Sequence, residues 1–187
     1  MKLLRSFFRN APKYFAWLVV SSLLWIWVFT FIRDTVPEKK VVLLADVYAM
    51  NEQELSICLE EAKPEGIRMV RAHTFNYATF NSTALENGDI YIVPEADIST
   101  YLSNFIPLDV QFAQDLPYEL YLSDGVPYGF QVYDTETGVG LAEDYIRYQI
   151  DEEPGQDYYL FFGGKSLHAG ANDMAAYDVV CTLIEIN

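Results

Sequence analysis

An uncharged apolar run from Phe15 to Ile32 gives way, past Thr35, to short apolar runs alternating with helically spaced apolar positions. Val41-Val42-Leu43-Leu44-Ala45-Asp46-Val47 is apolar without alternation, the pattern of a strand covered on both faces. Asn51 then offers a helix cap with Glu54 three residues on, and Leu55, Cys58, Leu59 and Ala62 follow at helical spacing. Lys63-Pro64-Glu65-Gly66 ends that helix, and Ile67 to His73 reads as a second strand. Asp89-Ile90-Tyr91-Ile92-Val93-Pro94 is a third strand, stopped by its proline. Asp97 can cap a helix carrying Ile98, Tyr101, Leu102 and Phe105. The order strand, helix, strand, loop, strand, helix predicts a single layered α/β domain with right-handed crossovers.

The pattern changes after Pro107. Val126 to Tyr133 reads as a strand after the Asp124-Gly125 turn, and Tyr145 to Ile150 as a returning one. Tyr158 to Phe162 is the most strand-prone segment. A closing helix, capped by Asn172, carries Ala176, Val179, Val180 and Leu183 on one stripe, widened by Tyr177, Cys181 and Ile184.

The Phe15–Ile32 run reaches about 27 Å as a helix, close to the hydrocarbon thickness of a bilayer. All three tryptophans lie in it, some of them near the interfacial depth that suits indole. No A-x-A-like site follows it, so an uncleaved signal-anchor is favoured over a cleaved signal peptide. The predicted organisation is a basic cytoplasmic segment (1–14), a transmembrane helix (15–32), a linker (33–40) and an extracytoplasmic domain (41–187). The basic, acid-free residues 1–14 favour a cytoplasmic N-terminus in the plasma membrane.

Charge sharpens this picture. From Thr35 onward 7 basic residues face 26 acidic ones, a net of −19. Such a tail is repelled by phosphate backbones, which excludes nucleic acid as an expected partner. Cys58 and Cys181 are too few for a disulfide scaffold; they are free thiols, or one bridge if their helices are neighbours.

Few motifs carry chemistry. Gly163-Gly164-Lys165-Ser166 resembles the end of a phosphate loop, but Tyr159 stands where its first glycine belongs, so it reads as a strand-ending turn. Ser166 and His168 lack a nucleophile elbow, and the two histidines lack metal spacing. Asn81-Ser82-Thr83 matches a glycosylation acceptor. No cofactor or metal site is expected, and the tail is expected not to be an enzyme.

The segment order resembles the first lobe of bacterial extracellular solute-binding proteins of the type 2 periplasmic-binding class. The likeness rests on Val41–Val47 with its capped helix, Asp89–Pro94 with the helix to Phe105, and Pro107-Leu108-Asp109. Tyr128-Gly129-Phe130 is similar to the stretch meeting the hinge, and Tyr159–Phe162 with Ser166-Leu167-His168 to the returning strand. Tyr133 to Asp157 stands where a second lobe would be, too short for a core of its own. The implied function is a membrane-anchored solute-binding-like module, accessory to a transporter, for a small molecule or peptide. The competing expectation is a structural or regulatory domain that binds a membrane protein and has lost its ligand. Strand ends in such sheets usually hold ligands, so Tyr48, Asn51, His73, Thr74, Glu95, Lys165, Ser166 and His168 are the expected site.

Overall fold

The computed structural model describes residues 2–33, 35–75, 87–149, 155–170 and 173–186. The Asn81 acceptor, most of the Thr74–Gly88 stretch, residues 151–154 and the Asn172 cap lie outside them. The chain divides into two units, Met1–Val36 and Pro37–Asn187.

The first unit is one helix, α1 (Lys2–Arg33). Within it Ala11–Phe29 has a mean hydropathy of 1.4, long and apolar enough to cross a membrane. Tyr14, Phe15, Trp17, Trp25 and Trp27 are exposed on its surface.

The second unit is a mixed α/β domain on one central sheet. Its strands are β1 (Lys40–Ala45), β3 (Met69–Thr74), β4 (Ile90–Pro94), β5 (Phe105–Ile106), β6 (Leu120–Ser123), β7 (Val126–Asp134), β8 (Val139–Gly140) and β10 (Tyr158–Gly163). A two-stranded ladder joins β2 (Ala49–Met50) to β9 (Ile146–Arg147). The helices are α2 (Glu52–Glu61), α3 (Ile98–Tyr101), α4 (Val110–Asp115) and α5 (Ala175–Glu185).

The sheet order is β3-β1-β4-β10-β7-β6, with β5 on β10 and β8 on β7. β1 is parallel to both β3 and β4. β10 enters antiparallel between β4 and β7, with Tyr158 opposite Pro94 and Phe162 opposite Ile90. The unalternating apolar runs are explained by this placement, because both faces of the sheet are covered. Leu43, Ile90, Ile92, Leu160 and Phe162 pack beneath α2, α4 and α5 in one core cluster. Leu44, Tyr91, Val93, Tyr159 and Phe161 form the other, with Phe75, Ile98, Tyr101 and Phe105. Central strands approach closely at Gly129, where a Cβ would collide with the Leu160 carbonyl oxygen and stand 2.7 Å from the Phe161 ring.

The closing helix packs as its stripe predicts. Ala176, Val179, Val180 and Leu183 are buried, α5 touches α2 and β1, and Tyr177 stacks on Phe162 at 4.0 Å between centroids. Cys181 departs from the stripe in being exposed, while both cysteines are free thiols, the first of the two states expected of them. The helix expected from Asp97 to Phe105 is also corrected. It is one α turn followed by a 3₁₀ turn, Asp97 makes no side-chain cap, and Phe105 is drawn into pairing with Gly163 of β10. Elements without a sequence reading include α4, whose N–H groups at Gln111 and Phe112 are capped by Asp109, the edge strand β6, and the two-residue β2.

Candidate functional site

The eight expected residues do not form one site. Because β10 runs antiparallel to β1 and β4, its end lies at their amino edge. Lys165, Ser166 and His168 therefore stand at the opposite end of the sheet from Tyr48, Asn51, His73, Thr74 and Glu95.

At the carboxyl edge the polar groups are spent on the fold. Asn51 caps α2, accepting from the Glu54 amide at 3.5 Å while its own amide donates to Glu54 Oε2 at 2.6 Å. Glu52, in the first turn of α2, accepts from the Thr74 amide at 2.7 Å and the Thr74 hydroxyl at 2.8 Å, and lies 3.1 Å from His73 Nδ1. Burial pushes the Glu52 carboxyl up, but the Thr74 and His73 contacts outweigh it and hold it below the usual range. His73 and Thr74 thus fasten β3 to α2. Glu95 is exposed, and its amide donates to the Asp157 carbonyl at 2.9 Å.

The segment from Val139 to Tyr148 folds back over this edge as a strap. β9 pairs with β2, the Tyr48 amide donates to the Tyr148 carbonyl at 3.3 Å, and the Asn51 amide to that of Tyr145 at 2.8 Å. Leu141, Ala142, Ile146 and Tyr148 are buried, and the Arg147 guanidinium lies 5.6 Å from the Tyr48 ring centroid. The strap joins the first core rather than forming another, and it lies across the strand end where a ligand site was expected. Beside it the Asp46 carboxyl is pushed up to about 6 by burial and by the neighbouring charge of Asp97.

The amino edge holds a cavity of about 460 Å³, within the range of small-molecule sites. Pro37, Lys40, Val42, Asp89, Lys165 and His168 are among its walls. Behind it lies an ordered polar network. Asp89, 3% exposed, accepts from the Val42 amide at 2.8 Å and from the Ser166 hydroxyl at 2.5 Å. Ser166 Oγ in turn accepts from the His168 amide at 3.0 Å. The His168 ring, 2% exposed, lies 2.9 Å through Nδ1 from Asp173 Oδ2 and 3.0 Å through Nε2 from the Pro37 carbonyl oxygen. Burial pushes the Asp89 carboxyl up in spite of its hydrogen bonds. For His168 burial opposes the charged form, but the bonds to Pro37 and Asp173 and the nearby carboxylates prevail, so its basicity is raised. Serine, histidine and aspartate are together here without forming a nucleophilic triad, since the ring nitrogens are engaged away from Ser166.

Sequence reasoning missed Asp89, Asp173 and the Pro37 carbonyl. An acid opening a wholly apolar strand was the available signal for Asp89. A smaller cavity of about 240 Å³ along the β7–β8 hairpin contains none of the expected residues. Among the described residues no cluster of three or more His, Cys, Asp or Glu is placed to hold a metal ion.

No protein-family model matches the chain, and no curated protein matches it in sequence. Among solved structures, thiaminase I from Bacillus thiaminolyticus overlaps it at 14% identity and a TM-score of 0.35. The overlap covers 50% of this chain and 28% of that protein, so the chain spans less than a third of its length. The expectation of a non-enzyme is corrected at this point: the overlapping solved protein is an enzyme, so catalysis is not excluded. A likeness at this level transfers no reaction or substrate.

Proposed function

We propose that the Pro37–Asn187 domain is an extracytoplasmic binding module held at the membrane by α1, with its ligand at the amino edge of the sheet. The observation carrying this reading is the 460 Å³ cavity backed by the Asp89–Ser166–His168 network. Ligand sites combine a preformed hollow with a few fixed polar groups. The cavity gathers Lys40 and Lys165, two of the seven basic residues of an otherwise acidic tail, against Glu38, while His168 and Asp89 are both engaged in the network behind it. A small anionic molecule suits that balance better than a cation. The test is a thermal-shift screen of small carboxylates and phosphates on the full chain in mild detergent. A ligand that raises Tm for the native chain but not for Leu167→Trp, a change at the exposed lining residue Leu167, supports the reading. A panel in which no compound raises Tm, or raises it equally in both, refutes it.

A second reading is favoured by the strap. Residues 139–149 cover the carboxyl edge, where two-lobed solute-binding proteins would close on ligand, which suits a domain that contacts a membrane protein partner. Co-purification of one partner from membranes, with no small-molecule effect on Tm, would establish this reading over the first. For the proposed topology, a C-terminal reporter should be active only outside the cytoplasm; activity inside would reverse it.

A further inference from the structure

We infer that His168 is a protonation-dependent clasp that pins the segment beginning at Pro37 to the domain and so sets one wall of the amino-edge cavity. The inference rests on which atoms face the ring. Nε2 faces a peptide carbonyl, which only accepts, at 3.0 Å. Nδ1 faces Asp173 Oδ2 at 2.9 Å, while the other oxygen of that carboxylate accepts the Ala175 amide at 3.0 Å. Both partners are acceptors, so both contacts are hydrogen bonds only when both nitrogens carry protons. A neutral imidazole has one N–H, and its remaining lone pair must face an oxygen lone pair. With the ring 2% exposed, water offers little relief.

The contacts join segments far apart in sequence. Pro37 lies 131 residues from His168, at the start of the 3₁₀ turn leading into β1, and Asp173 lies just before α5. The charged groups around the ring come from each neighbouring element: Asp173 before α5, Asp89 before β4, Lys165 after β10, and Glu38 and Lys40 at the entry to β1. Asp89 and Asp173 favour the imidazolium, Lys40 and Lys165 oppose it, and Glu38 adds to the acidic side.

On loss of its second proton the ring keeps the stronger bond, the charge-assisted one to Asp173, and releases the Pro37 carbonyl. The sign follows. A histidine whose folded basicity is raised adds stability fully present below its unfolded value of 6.5, and this is lost as pH rises through the folded value. Asp173, whose carboxyl is lowered chiefly by the Ala175 amide and His168 against burial, keeps its side of the clasp until more acidic pH. Mild acid therefore closes the clasp and alkaline pH loosens the Pro37 wall. As regulation of a ligand, this rests on the cavity being the binding site; as a conformational clasp, it does not.

The experiment follows the full chain in detergent micelles, with His73→Gln leaving His168 as the single histidine. NMR reports the ring's titration, and amide hydrogen exchange reports Glu38, Lys39 and Lys40. The expected result is a midpoint above 6.5, with exchange at those amides, taken relative to the intrinsic base-catalysed rate at each pH, accelerating about 5- to 10-fold across it, the factor set by one ordinary hydrogen bond. Asp173→Asn should lower the midpoint while the domain stays folded. A midpoint at or below 6.5, or exchange indifferent to the titration, overturns the clasp. Small-anion binding, measured at pH 6 and pH 8.5, separates the two ideas. A clasp that titrates without any anion binding defeats the ligand reading alone. Anion binding that is equal at both pH values, with unchanged exchange, defeats the clasp alone.

Discussion

Leu183→Ala tests whether the last helix belongs to the core. Leu183 is 0% exposed, on the same face of α5 as Val179 and Val180, over β1 and beside α2. Truncation removes the transfer free energy of the lost carbons and leaves a cavity that neighbours such as Tyr177, stacked on Phe162, cannot easily fill. Together these cost about 3–4 kcal/mol, against a total stability of about 5–15 kcal/mol for an ordinary domain. For a domain of this size that corresponds to a Tm drop of roughly 6–16 °C. Urea and thermal melts of the full chain in detergent, followed by tyrosine circular dichroism, give the number. Cys181→Ser is the internal control: the side chain is exposed on the same helix, and the change should stay within about 0.5 kcal/mol. If Leu183→Ala melts within 2 °C of the native chain (about 0.5–1 kcal/mol), α5 is peripheral and Leu183 is no part of the core.

Two further perturbations probe other parts of the sheet. Asp46→Asn should stabilise the protein above pH 6. The native carboxyl is raised from 3.8 to about 6, so the folded state holds the extra proton and stability falls as pH rises through that window. After discounting for partial exposure the gain is about 1 kcal/mol; urea midpoints at pH 4 and pH 7.5 should show the gap only at the higher value, and an equal gap at both would refute the assignment. Gly129→Ala should cost about 2 kcal/mol, because its methyl group must part β7 from β10 at the Leu160 carbonyl. An unchanged urea midpoint would mean that the two strands are more loosely apposed.

Much of the architecture was legible because burial writes itself into local pattern. The unalternating apolar runs at Val41 and Ile90 and the wide stripe of the last helix needed no partner to be recognised. Strand direction is different. Nothing within Tyr158–Phe162 says whether it runs with or against its neighbours, since an all-apolar strand looks alike in both senses. That one undetermined sign moved Lys165, Ser166 and His168 from one edge of the sheet to the other. The short elements were illegible for a related reason. β2 is two residues long and exists only through its pairing with β9, the part of the expected Tyr145–Ile150 strand that forms. α3 is a single turn whose expected continuation was taken by β5, because pairing Phe105 with Gly163 and stacking its ring on Phe161 at 4.6 Å outweighed helical spacing. Asn51 and Asp109 were readable or nearly so, because a cap acts on residues two and three ahead.

The insertion of β10 between β4 and β7 also governs when the domain can fold. β4 ends at Pro94 and its neighbour begins at Tyr158, so the middle of the sheet stays vacant while the intervening chain is made. Until residue 163 has left the ribosome, β4 presents an unpaired apolar edge, and β7 does the same on its other side. Distant pairing of this kind slows folding and leaves intermediates prone to aggregate. The dense negative charge past Thr35 would then serve the nascent chain, keeping unfinished copies apart by repulsion until the last strand arrives.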